Sequence, residues 1–180
     1  MRRFVLIALL ATAFAGCGVE DYIHEAETEG VYVDVGNLVY QVQLSRFLNP
    51  DDVEDREYLV GLPAGTSPQL PGDEIWFGVW LRVKNYTDEA LTPSSDIRIV
   101  DTEENEFRPV QLDDTNVFAY RPTPIAPDGV KPAPDTAAAS GPIQGSLVLF
   151  RLTTEALQNR PLVLEIAQPG SEPAEVHLDL

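Results

Sequence analysis

At 180 residues and 44% hydrophobic content, the chain has room for one ordinary domain with a packed core plus a short leader, which excludes a disordered tail. Its 29 acidic and 12 basic side chains give a formal net charge of −17, and Lys84 and Lys131 are its only lysines, so no basic stripe exists to neutralise nucleic-acid phosphates. The single cysteine, Cys17, excludes an intramolecular disulfide, and the domain must hold together by packing.

The chain opens with the order of an export signal. Met1-Arg2-Arg3 is a short basic region, and Phe4 to Phe14 is an apolar run too short for a transmembrane helix. Ala13-Phe14-Ala15-Gly16-Cys17 then places small residues before a cysteine and resembles the lipobox of bacterial lipoproteins, with Phe14 where an aliphatic residue is usual. The resemblance implies that residues 1–16 are a cleaved lipoprotein signal peptide and that the Cys17 thiol carries a diacylglyceryl group. It also implies an exported protein, anchored through that lipid on the extracytoplasmic face of the bacterial cell membrane. Arg2 and Arg3 leave with the leader, so 10 basic side chains would face 29 acids, a net charge of −19. A chain this acidic is repelled by anionic headgroups, so attachment is expected to be covalent.

Residues 17–30 carry Glu20, Asp21, Glu25, Glu27 and Glu29 and read as an acidic tether, with the domain proper at 31–180. From Val35 to Leu44, Leu38, Tyr40, Val42 and Leu44 recur at period two, the pattern of a half-buried strand. Asn49 to Glu57 reads as a polar loop with five acids, Tyr58 to Leu62 as a short extended arm, and Pro63 to Gly72 as turns. The strongest pattern follows: Ile75, Phe77, Val79, Leu81 and Val83 alternate with Trp76, Gly78, Trp80, Arg82 and Lys84, marking a central core strand. A hairpin is expected from Ile97 to Leu112 with its turn near Glu104-Asn105, where Asn tolerates the left-handed conformation. Leu112 to Gly141 is a long Pro-rich loop before the last strands. Strands are expected at Ile143–Leu152 and Leu162–Ala167, with one helical turn between them, and a closing edge strand at Glu175–Leu180. About seven short strands with almost no helix argue for an antiparallel β-sandwich.

The order of Trp80-Leu81-Arg82-Val83-Lys84-Asn85-Tyr86-Thr87, Ile97-Arg98-Ile99-Val100-Asp101, Phe107-Arg108-Pro109 and Gly145-Ser146-Leu147-Val148-Leu149-Phe150-Arg151-Leu152 resembles the telokin-like bacterial lipoproteins. The resemblance spans about residues 35–167 and implies an immunoglobulin-like sandwich, with no assigned activity. Fold likeness transfers no reaction.

Catalytic and metal patterns are thin. The segment Asp51 to Glu57 offers carboxylates for calcium but lacks EF-hand spacing, and reads as a solvated loop. His24 and His177 are the only histidines, too few for a transition-metal site, and no nucleophile motif is present. No enzyme activity, metal or cofactor is therefore expected. The long loop carries Phe118, Tyr120 and Arg121, residue types that anchor interfaces, and these with Trp76 form the candidate interaction surface. The same aromatics could instead fold back over the end of the sandwich. The leading expectation is a lipid-anchored module that contacts an unidentified envelope protein. The alternative is a carrier or sensor of a small ligand or cation, which requires a cleft near Trp76 and Phe118.

Overall fold

Among the described residues, eleven strands form two sheets: β1 (Glu25–Ala26), β2 (Tyr32–Val35), β3 (Leu38–Leu48), β4 (Glu74–Asn85), β5 (Asp96–Val100), β6 (Glu106–Phe107), β7 (Pro109–Val110), β8 (Val130–Lys131), β9 (Ser146–Thr153), β10 (Val163–Ala167) and β11 (Ala174–His177). Helices are short: α1 (Val53–Tyr58), α2 (Ala137–Ser140) and a single 3-10 turn at Glu155–Leu157. The computed structural model of the protein describes residues 22–180, so the leader and Cys17 lie outside the described residues. One sheet has the order β1-β11-β10-β5-β6 and the other β2-β3-β4-β9-β7, with β8 added beside β4. Every pairing is antiparallel except β1 with β11, and the fold is a β-sandwich.

The core between the sheets is built from the alternating residues of β4. Phe77, Val79, Leu81 and Val83 meet Val148, Phe150 and Leu152 of β9 on their own sheet, and Ile97, Ile99, Leu164, Ile166 and Val176 of the opposite one, all buried. Each such side chain contributes about 1.5–3 kcal/mol on burial. β4 is also buried on its other face, where Trp76 and Trp80 lie with Leu147 and Leu149 in a second cluster. A strand covered on both sides belongs at the centre of its sheet.

Several elements differ from the pattern-based expectation, each for a physical reason. The strand expected from Val35 is the second arm of a hairpin, because Gly36 takes φ 59° and turns the chain between β2 and β3. Within β3 the register shifts between Val42 and Leu44. The bulge swings Leu44 onto the face of Trp80, away from the inward set of Leu38, Tyr40 and Val42, so the period of two does not run through to Leu44. Residues 53–57, expected as loop, form α1 together with Tyr58, because the Asp52 carboxylate accepts the backbone N–H groups of Glu54 and Asp55 as an N-cap. The Tyr58 arm is therefore the end of a helix. The Asp101–Asn105 turn does form, but the left-handed residue is Glu104, at φ 64°, and Asp101 organises it by accepting from Glu103 N, Asn105 N and Asn159 Nδ2. Burial pushes the Asp101 carboxyl up, and these donors more than reverse it and hold it below its ordinary value.

Residues 22–30 are not a free tether. Ala26 is buried, β1 pairs with β11, and Glu29 accepts from Ser45 N at 2.9 Å and from the Ser45 hydroxyl. Consequently β11 is not an edge strand, since β1 lies outside it. β6 and β7 belong to different sheets, Phe107 pairing with Ile99 and Pro109 with Phe150, so the chain crosses from one layer to the other at Arg108 and closes that side of the sandwich.

Candidate functional site

The outer face of the β4 sheet is roofed by the two irregular segments of the chain. Tyr58 and Leu59, at the end of α1, cover Trp80, the Tyr58 and Trp80 rings meeting edge to face at 5.1 Å. Arg46, brought to this face by the β3 bulge, lies 5.6 Å from the Trp80 ring and 6.0 Å from the Tyr58 ring, and its guanidinium pairs with the buried Asp55 carboxylate. Burial raises the Asp55 carboxyl, but the Arg46 guanidinium and the Asn49 N–H at 2.7 Å outweigh that and hold it below its ordinary value. The acidic segment is thus absorbed locally by a cap and an ion pair.

The long loop is stitched down along its length. Asn116, buried, donates to the Tyr58 and Val60 carbonyls at 3.0 and 2.9 Å and accepts from Phe118 N at 3.0 Å. Tyr120 N and Leu147 N donate to Leu147 O and Phe118 O, each at 2.7 Å, laying residues 118–120 along β9. Leu91 and Ile125 exchange backbone hydrogen bonds, and Asn85, 1% exposed, donates to the carbonyls of Glu89, Ile125 and Ala126. These anchors are buried asparagines, whose side chains satisfy backbone that no sheet ladder reaches.

The sequence-nominated residues end up in structural places. Trp76 is 1% exposed and its indole N–H donates to Pro68 O at 2.7 Å. Phe118 is half-buried with its ring 4.9 Å from that of Tyr58, so it joins the second cluster. Tyr120 packs against the inter-sheet core, its hydroxyl donating to Ser94 O at 2.8 Å while the Tyr40 hydroxyl accepts from Ser94 N at 2.7 Å. Burial pushes the Tyr120 phenol far up from its ordinary value. Only Arg121 faces outward, donating to Asp113 O at 2.5 Å and lying 3.6 Å from Asp114. The candidate interaction surface is therefore corrected: Trp76 and Phe118 pack into the apolar cluster on the sheet's outer face, and Tyr120 turns inward over the open end of the inter-sheet core. Cys17, nominated for lipidation, lies outside the described residues.

What the loop does present to solvent is a groove of about 500 Å³. Val117, Pro124, Ala133 and Pro134 are exposed along it, with Arg121 and Lys131 among its walls. The Lys131 ammonium donates to Arg121 O at 2.5 Å and to the Thr123 hydroxyl at 2.6 Å, and burial pushes its pKa down. No carboxylate pairs with it among the described residues. A smaller pocket near Tyr120, between β5, β7 and β9, holds only about 60 Å³, room for a few waters against the 300–1,000 Å³ usual for ligand sites. Chemically the groove can bind an apolar chain and attract a negative group. The sequence signal for it was the Pro-rich composition of residues 122–134, whereas the buried asparagines that hold it gave none.

No protein-family model matches the sequence, and no curated protein matches it. Among solved structures, the chain is similar to the yjhA protein of Bacillus subtilis, at 10% identity over 85% of this chain and 99% of that one, with TM-score 0.49. It is similar to an uncharacterized β-sandwich protein of Clostridium difficile, at 13% identity over 89% and 98% of the two chains, with TM-score 0.49. It is also similar to the ycdA protein of Bacillus subtilis, whose description is provisionally that of a lipoprotein, at 12% identity over 81% and 38%, with TM-score 0.47. Among the described residues of this chain, no helix is long and apolar enough to cross a membrane.

Proposed function

We propose that the protein is a lipid-anchored extracytoplasmic binding module, tethered through Cys17, that holds a segment of another envelope protein in the groove along the long loop. The observation that carries this reading is the groove itself, an apolar, proline-lined channel of about 500 Å³ whose one lysine has no carboxylate partner among the described residues. Its walls suit an extended segment with apolar side chains and an acidic group, since rigid prolines lose little entropy on binding. An immunoglobulin-like relationship to the telokin-like lipoproteins, and a binding rather than catalytic role, belong to the same reading.

The test is photo-crosslinking in native envelopes with a crosslinking amino acid at position 117, where the side chain is exposed. A discrete adduct is expected, and Ala133→Trp, which fills the groove without touching the core, should abolish it. An adduct set unchanged by Ala133→Trp would refute the groove as the binding site.

A further inference from the structure

One corner of the β4 sheet is left uncovered by both roofing segments, and its composition is unusual for so acidic a chain. Ten cationic side chains lie within residues 22–180. Five of them pair with carboxylates, while Arg82 and Lys84, neighbours on the outer face of β4, are among those with no such partner among the described residues. Exposed tyrosines flank them. The Lys84 ammonium lies 5.1 Å from the centre of the Tyr32 ring and 5.5 Å from that of Tyr86, and Tyr86 is 64% exposed. Arg82 also lines a shallow cavity of about 160 Å³ with Pro132 and Pro134.

The described chain begins at this corner. Ile23 N donates to the Asp34 carboxylate at 2.8 Å, and Asp34 N donates back to Ile23 O at 2.6 Å, which places Ile23 beside β2. Tyr32 is one strand repeat, about 7 Å, further along β2 on the same face as Asp34. Ile23 is itself 47% exposed. Cys17 is five residues before Tyr22 in the sequence. Five residues span at most about 18 Å, so a lipid on Cys17 would hold Tyr22 within that distance of the bilayer, with the corner beginning one strand repeat beyond the Ile23–Asp34 contact.

We propose that the corner formed by Tyr32, Arg82, Lys84 and Tyr86 rests on the membrane surface, with the two cations on headgroup phosphates and the two tyrosine rings at headgroup level. Tyrosine is suited to that depth because its ring is apolar and its hydroxyl polar, and cations near an anionic leaflet are attracted over roughly a Debye length. Asp34 lies on the same face, and Asp88, Glu89 and Asp128 follow in the adjoining turns, so the attraction is local and too weak to attach the protein. The acyl chains attach it, and the corner sets which way it faces. This inference rests on the lipidation at Cys17 proposed above.

The experiment uses full-length protein purified from membranes and reconstituted in vesicles of phosphatidylglycerol and phosphatidylethanolamine. Intact-mass measurement first establishes the diacylglyceryl group on Cys17; an unmodified Cys17 overturns both the anchoring and this orientation. With the lipid present, acylation of Lys84 and hydroxyl-radical oxidation of Tyr86 are compared with those in unlipidated Cys17→Ser protein mixed with the same vesicles. Both rates should fall severalfold, while Val53, 69% exposed beyond the far end of β3, reacts equally in the two. Arg82→Gln with Lys84→Gln should leave the protein floating with vesicles but restore Tyr86 oxidation. A lipidated protein whose Lys84 and Tyr86 stay fully reactive overturns the orientation alone. So does protection that survives the double variant, or that appears only in native envelopes and so assigns the corner to a protein partner.

Discussion

Replacing Asn85 tests whether a single buried amide holds the groove wall. Its Nδ2 donates to the carbonyls of Glu89, Ile125 and Ala126 at 2.7, 3.1 and 3.1 Å, and its Oδ1 accepts from Thr87 N at 3.0 Å and Thr87 Oγ1 at 2.8 Å. In Asn85→Ala the three carbonyls each keep another donor, namely Thr87 Oγ1, Leu91 N and Gly129 N, so the Thr87 N–H is the one group orphaned. Because the carbonyls keep other donors, the loss is about 1 kcal/mol net for each of the two amide hydrogens plus about 1 kcal/mol for the orphaned donor, about 3 kcal/mol. For a domain of this size that lowers Tm by roughly 6–12 °C. Asn85→Asp should be worse, and its defect should depend on pH. A carboxylate facing three carbonyl oxygens has its folded pKa raised above the unfolded value of about 3.9, so the variant comes closest to wild type at low pH and loses further stability as pH rises through that folded pKa. Thermal unfolding by circular dichroism from pH 3.5 to 8, each variant read against wild type, measures both. A loss under about 1 kcal/mol in Asn85→Ala, or a flat pH difference in Asn85→Asp, would show that the loop holds itself without Asn85.

Asp55→Ala removes one partner of a buried ion pair and should cost about 3 kcal/mol, the lower end of the usual range because the Arg46 side chain is 33% exposed and can rehydrate. Because the folded carboxyl lies below its unfolded value, its stabilising share is present above about pH 4 and lost as pH falls through the folded value, so the variant should show a shallower acid limb in urea titrations. An unchanged acid limb would exclude Asp55 as its source. Gly145→Ala should also destabilise strongly: at φ 149° an added Cβ lies 2.9 Å from Trp80 Cβ and 3.1 Å from the Trp80 carbonyl carbon, contacts with no flexible end to yield. Guanidinium unfolding should show a loss of about 2 kcal/mol or more, and a smaller one would mean that the loop shifts freely over Trp80.

Much of the sandwich was legible in local pattern. β4, β5, β9 and β10 alternate with the pleat, and their inward sets are the core found in the structure. Where the pattern misled, a single residue broke the period. Gly36 turned one expected strand into a hairpin, and the Val42/Leu44 bulge moved Leu44 and Arg46 to the outer face. α1 was hidden because its six residues are too few for helical periodicity, while its cap at Asp52 resembles any loop aspartate. The aromatics of the long loop were noticed for their type, but type does not give direction. Phe118 and Tyr120 turn inward because Trp80, Leu147 and the open end of the inter-sheet core require a cover.

By itself the sequence determined what local chemistry can carry: the alternation that makes strands, the acidity of the chain, and the order of residues 1–17 that resembles a lipobox. Tertiary structure alone decided that the sheet is roofed on its outer face, that Asn85 and Asn116 pin the loop, and that Arg82, Lys84, Tyr32 and Tyr86 share one uncovered corner. Those facts depend on residues far apart in the chain, such as Asn116 with Tyr58 and Tyr32 with Lys84. Only packing free energy summed over the whole domain selects such pairings, because the conformational entropy of closing each loop must be offset by contacts that no local window contains.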